Sequence, residues 1–265
     1  MTPPVFPLEV FDEITSQLAD ETSTLKSYSL VCHSFRRSAQ KILFNSIGVV
    51  VKNDNLNGPS QPINLASIVK HAPHLIEYTQ RLIIYSLSIN RPLDFGPSKS
   101  TDLADALGVF SRKGEYPINL QYLSLEDLPW HYIDPCLQHA LVLLMSAYSL
   151  RDICLEGVMN CSANLVQNLP PLLKHLSLGN TTFSSLPTTR KELPTLESLT
   201  IGFFAVRRMD KFPGDVVERI VNTTQLKTFQ GTSCKAHIMP IIERILRSTS
   251  NSLEHLTLEQ LDLVE

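Results

Sequence analysis

The sequence predicts an α/β fold: short parallel strands that alternate with helices, preceded by a small module that is helical only. Three observations predict it. An apolar pattern, L-x-x-L-x-L with conservative replacements, returns along the chain from residue 79 onward. Between its copies lie segments whose apolar residues recur at helical spacing. The composition, with 43% hydrophobic and 18% charged residues in 265, is that of a chain that buries a core rather than a disordered one.

The clearest copies begin at Leu120, Leu150, Leu173, Leu196 and Leu253. A weaker copy at Leu226 carries Phe229 and Gly231, with Cys234 at the ninth position, where repeats of this kind take Asn or Cys. Degenerate copies start at Phe44 and Thr79. The later starts are 23 to 30 residues apart, bracketing the leucine-rich repeat unit; the first two steps, of 35 and 41 residues, need insertions. Proline-containing stretches at 58–62 and 91–101 supply them, and others at 170–171 and 187–194 separate later elements. Helices are expected over 63–71, 102–112, 136–147, 214–222 and 238–247. Parallel neighbours need a crossover, so residues 46–265 are expected to form an irregular leucine-rich-repeat solenoid, its parallel sheet on the concave face and its helices on the convex one. The strong copy from Leu253 to Leu263 is followed by no polar cap, so either a longer natural chain or a covered last strand is expected.

Strand side chains alternate, so if the motif leucines point inward, positions 3, 5 and 7 of each copy face outward. The early copies put Arg81, Tyr85 and Tyr122 there, residue types enriched at interface anchors. Next come Glu126, Asp152 and Glu156, and then a run of Ser, Thr and Gly. These six residues are the substrate-binding candidates, on a surface that prefers a partner with a basic segment.

Residues 1–45 read as a separate helical module. Pro7 stands where a helix begins, Glu9, Asp12 and Glu13 suit the positive end of its dipole, and Val10, Ile14 and Leu18 form one stripe beside Phe11. After a polar break at Asp20 to Thr24, Leu25, Tyr28, Val31, Cys32, Phe35, Ala39 and Leu43 resume helical spacing. On spacing alone such a bundle serves equally as the cap that an open repeat array requires. The residues themselves, Phe6-Pro7-Leu8-Glu9-Val10, Ile14, Leu18, Ser29-Leu30-Val31-Cys32, Phe35-Arg36, Ala39 and Leu43-Phe44, resemble the F-box of fungal F-box proteins. Phe6 replaces the usual Leu, and Phe35 a frequent Trp; both changes keep a large apolar side chain. The resemblance implies three helices that dock on a Skp-type adaptor and, through it, a cullin. It marks Pro7, Leu8, Glu9, Ile14, Leu18, Leu30, Val31, Cys32 and Phe35 as adaptor contacts or module core.

Other classes find little in the sequence. A net charge of −3 and the lack of any Lys/Arg block give no nucleic-acid footprint. The densest apolar run, Ala140 to Met145, is far short of the ~20 residues that span a bilayer. No basic and apolar leader opens the chain, so an intracellular protein, cytoplasmic or nuclear, is expected. Five scattered cysteines without a C-x-x-C pair suit reduced, mostly packed thiols, and Asn160, Asn180 and Asn222 head glycosylation sequons that stay unmodified without a secretory route. His71 and His74 are separated by Pro73, which spoils their alignment as metal ligands; His131, Asp134, Cys136 and His139 are near in sequence only. No phosphate-binding loop or nucleophile elbow occurs, and no catalytic residue, cofactor or metal is assigned. The expected role is a non-catalytic substrate receptor of a cullin-RING ubiquitin ligase; the alternative is a repeat scaffold whose first helices only cap the array.

Overall fold

The structure, a computed structural model, describes residues 7–51, 65–86, 97–111, 118–188, 192–202, 213–232 and 239–259. Phe6, Cys234, Leu263, the stretch 58–62 and most of 91–101 lie outside them.

Three short helices open the chain: α1 (Leu8–Ser16), α2 (Thr22–Tyr28) and α3 (His33–Leu43). Pro7 is the residue before α1, as its missing N–H allows. The inward face of α1 is not the Val10/Ile14/Leu18 stripe. Thr15 is fully buried and Phe11 packs edge-on against Phe35 of α3, with ring centroids 4.8 Å apart. Val10 and Ile14 are left about 40% exposed. The Thr15 hydroxyl sits there without cost because it donates to the Phe11 carbonyl of the preceding turn, 2.6 Å away. Asp12 ties α1 to α3, accepting from Ser38 at 2.5 Å and pairing with Lys41 at 2.7 Å. The helical spacing expected through Val31 and Cys32 is broken: α2 ends at Tyr28, and Cys32 is extended (φ −155, ψ 170) as the residue before α3. Spacing does not reveal this break because the turn itself is made of apolar residues, Leu30 and Val31, that face outward.

The remainder is α/β. Among the described residues eight strands, β1 (Ser46–Val51), β2 (Arg81–Ser86), β3 (Tyr122–Glu126), β4 (Asp152–Glu156), β5 (His175–Gly179), β6 (Ser198–Gly202), β7 (Thr228–Thr232) and β8 (His255–Leu258), form one sheet in sequence order. Every neighbouring pair is parallel. Each strand starts two residues after a motif start, and the register places equivalent positions side by side. Ile47, Leu82, Leu123, Ile153, Leu176, Leu199, Phe229 and Leu256 form one row, and Val49, Ile84, Leu125, Leu155, Leu178 and Ile201 another. Except for Leu256 these side chains are buried in one continuous core. A Leu or Ile so buried contributes about 1.5–3 kcal/mol. Repetition of the motif thus becomes a stack of apolar rungs.

Among the described residues six α-helices cross between strands: α4 (Leu65–His71), α5 (Pro97–Ser111), α6 (Pro135–Met145), α7 (Asn164–Gln167), α8 (Pro213–Ile220) and α9 (Met239–Thr249). They pack on one another in chain order, α4 on α5, α5 on α6, α6 on α7 and α8 on α9, making a second layer that supplies Leu107, Leu137, Leu141, Val217 and Ile245 to the core. In α6 the start is written locally: Asp134 caps it by accepting from the Cys136 N–H at 2.8 Å, and Pro135 fills the first position. Three strands end in register with a left-handed residue: Asp127 after β3 (φ 52), Gly157 after β4 (φ 66) and Asn180 after β5 (φ 46). Asp and Asn tolerate that conformation better than other side chains, and Gly adopts it freely. One buried group breaks the pattern. Thr79 takes the first leucine position of its copy, is fully buried, and its hydroxyl has no hydrogen-bond partner among the described residues. Thr79→Val keeps the shape and removes an unpaid desolvation, so it is expected to raise stability by about 1 kcal/mol in urea denaturation; a loss would show that the hydroxyl is satisfied.

Candidate functional site

Two surfaces collect the sequence candidates. On the N-terminal helices the structure separates core from exposed residues. Leu8, Leu18 and Phe35 are half-buried, and Phe35 lies between Phe11 and Tyr28. Pro7, Glu9, Ile14, Leu30, Val31 and Cys32 are exposed, with Leu30 at 79% and Val31 at 68%. Two adjacent aliphatic side chains so open to water are costly in a free chain, since burying each is worth roughly 2 kcal/mol. The backbone offers them rigidly: the Leu30 and Val31 N–H groups donate to Ser27 and Tyr28, and Arg36 reaches back to the Ser29 carbonyl at 3.2 Å. The three helices have their own small core at Leu25 and Ala39, outside the large apolar cluster.

The second surface is the outward face of the sheet, where the parallel register sorts the six candidates into two rows. Arg81, Tyr122 and Asp152 are consecutive neighbours, continued by His175 and Ser198. Tyr85, Glu126 and Glu156 are neighbours in the other row, continued by Gly179 and Gly202. Between them run Ile83, Ser124, Cys154, Ser177 and Thr200. The Arg81 guanidinium lies over the Tyr122 ring, 4.0 Å from its centroid, which holds both in place by a cation–π contact. Glycine decides where side chains lie. A Cβ at Gly179 would overlap the Glu156 carboxylate, and one at Gly157 would overlap Asp127. Glu156 therefore lies flat across its neighbouring strand.

The charges are uneven. Glu126 accepts from Ser124 at 2.7 Å, and Asp152 faces His175 at 3.9 Å. Among the described residues no ion pair reaches Glu126, Asp127 or Glu156. Burial, then repulsion from Asp127 and Glu126, raises the Glu156 pKa; burial, then Glu126, raises that of Asp127. Burial likewise pushes the Cys154 thiol up, with the neighbouring Ser124 and Ser177 hydroxyls working the other way, so it is held as the thiol and not as a nucleophilic thiolate. The sequence pointed to the face and to the acidic spot. It missed Asp127, which belongs to a turn rather than a strand, and the pairing of Asp152 with His175, which needs the register.

These shifts fix a sign for pH. Where a carboxylate has its folded pKa raised, the native chain binds the proton more tightly than the unfolded chain. Stability then rises as pH falls from above the raised value to below the ordinary value of 4.5. Asp12, lowered by its bonds to Lys41 and Ser38, and Glu197, lowered by Lys174, work the other way: their contribution is present above the ordinary carboxylate range and is lost as pH falls through their own values. Glu156→Gln is therefore expected to raise the thermal midpoint at pH 7 and to flatten the gain between pH 7 and about 4.5. A midpoint at pH 7 that is unchanged or lower contradicts the arrangement.

Other singled-out residues have structural roles. Asp134 caps α6, His131 stacks on Tyr132 with centroids 3.9 Å apart, and His71 bonds the Ser67 carbonyl at 3.0 Å. Cys32 and Cys136 are exposed, contrary to the expectation of mostly packed thiols, while Cys161 is buried. Asn222 accepts from the Thr224 N–H, and Thr182 from the Asn160 N–H, so these sequon residues fasten turns. Among the described residues no group of three His, Cys, Asp or Glu side chains is placed to hold a metal ion, and no helix is long and apolar enough to cross a membrane. No protein-family model matches the chain, and no curated protein matches it significantly.

Proposed function

We propose that the chain is a non-catalytic substrate receptor of a cullin-RING ubiquitin ligase of the Skp-cullin-F-box type, acting inside the cell. Its strands and helices are read as a leucine-rich-repeat solenoid, and its first helices as an F-box that binds the adaptor. The observation that carries the reading is the exposed Leu30-Val31 turn on a three-helix unit with its own core, at the positions where the F-box resemblance expects contact. A large apolar group presented on a rigid turn suits a stable partner that covers it. The repeat ladder supports the second half: it leaves one broad sheet face without a layer upon it among the described residues, on which a protein substrate is held near chemistry done elsewhere. Co-expression with a Skp-type adaptor tests the reading; a stoichiometric complex on size exclusion is expected, and a monomer that binds no adaptor at micromolar concentration refutes it.

One observation favours the scaffold alternative. Helix α3 ends at Leu43 and β1 begins at Ser46, and the Asn45 carbonyl accepts from both Gln80 and Arg81, so the helices run into the sheet as a cap would. The same co-expression separates the two, because a cap needs no adaptor.

A further inference from the structure

We infer that the outward face of β3 to β6 takes an extended, basic segment of the partner protein, with one side chain seated in a cavity beside Tyr122 and its cationic groups along the Glu126/Glu156 row. The inference rests on the reading of this face as the receptor surface. The cavity measures about 170 Å³ and is bounded by Tyr122, Asp152, Cys154, His175, Ser177 and Thr200. That is well below the ~300 Å³ at which small-molecule pockets begin, and it suits a single amino-acid side chain better than a cofactor. Its lining is more apolar than polar, with the Tyr122 ring and Ile153 and Leu176 beside the Ser177 and Thr200 hydroxyls, and Asp152 stands among them.

Around it the face is net negative. Among the described residues of these strands the four carboxylates Glu126, Asp127, Asp152 and Glu156 outnumber the cations, which are Arg81, held over the Tyr122 ring, and His175, 3.9 Å from Asp152. Rows one strand apart are about 4.8 Å from each other, so neighbouring carboxylates at Glu126 and Glu156 act on the same cation. An acidic segment would be repelled there, and an uncharged one would leave that repulsion unrelieved. Small residues downstream, Ser198, Gly179 and Gly202, keep the face low enough for a peptide backbone to approach.

The test uses the full chain, with its adaptor bound where the two copurify, and two fluorescein-labelled twelve-residue Gly/Ser peptides, one with three Arg and one with three Glu. Fluorescence anisotropy is expected to give at least tenfold tighter binding of the Arg peptide, weakening as salt rises. The triple variant Glu126→Gln, Asp152→Asn, Glu156→Gln should lose that preference at least tenfold while its thermal midpoint is kept or raised. Equal binding of both peptides, or a preference that survives in the folded variant, overturns the inference. A photo-crosslinking residue placed at Ser177 distinguishes this from the parent reading. Crosslinks to Lys/Arg-rich segments support both; crosslinks to acidic or uncharged segments overturn the basic chemistry and leave the receptor surface standing; a face that crosslinks to no protein sinks both.

Discussion

Leu30→Asp with Val31→Asp is expected to reduce adaptor affinity at least a hundredfold while leaving the chain folded. The two side chains are 79% and 68% exposed, so in the free chain aspartate meets water and the fold loses little. In a complex the same carboxylates would have to be desolvated against an apolar partner, at several kcal/mol each after relaxation. Truncation of an interface anchor costs 2 kcal/mol or more, and a hundredfold change is about 2.7 kcal/mol, so the expected loss is a conservative one. Isothermal titration against a purified Skp-type adaptor, with circular dichroism as the folding control, measures it. A folded double variant with unchanged affinity removes the F-box reading and leaves the cap. Phe35→Ala is not the test, because Phe35 packs on both Phe11 and Tyr28 and its loss would loosen the module itself.

The second large effect concerns the ladder. Leu155 is fully buried on the central strand β4, with Leu125 and Leu178 as register neighbours. Leu155→Ala should cost 2–5 kcal/mol, since methylenes leave the core and a cavity remains between rungs that cannot collapse without moving two strands. Leu256, the β8 member of the other inward row, is 48% exposed, because no further strand is paired to β8 among the described residues. Leu256→Ala should cost less than about 1 kcal/mol. Urea denaturation of the two variants reads the contrast. Equal losses would mean that the last rung is as well packed as the central one.

The strands were legible because an apolar position that recurs at fixed offsets needs no knowledge of its neighbours: all eight motif starts, including the degenerate ones at Phe44 and Thr79, lead into a strand. The inward and outward assignment also follows from alternation alone. Spacing located α6 to within two residues at each end, and it failed at the turn of Leu30 and Val31, where apolar residues that face outward are indistinguishable in sequence from residues of a helix face. The Val10/Ile14 stripe misleads for the same reason. Spacing records that residues share a face, and only packing decides which face is buried; Phe11 and Thr15 took that place through Phe35 and through a back-bonded hydroxyl.

By itself, then, the sequence determined an α/β chain of repeated strands, the residues that line one face of the sheet, and a helical unit ahead of it, because each of these depends on separations of a few residues along one segment. The tertiary structure decided what depends on separations of twenty or more. It set the register that brings Glu126 beside Glu156 and Asp152 beside His175, and the glycines that let one carboxylate lie across the next strand. It also decided which apolar side chains of the first helices remain in water: burial belongs to pairs of elements, and no single element encodes its partner.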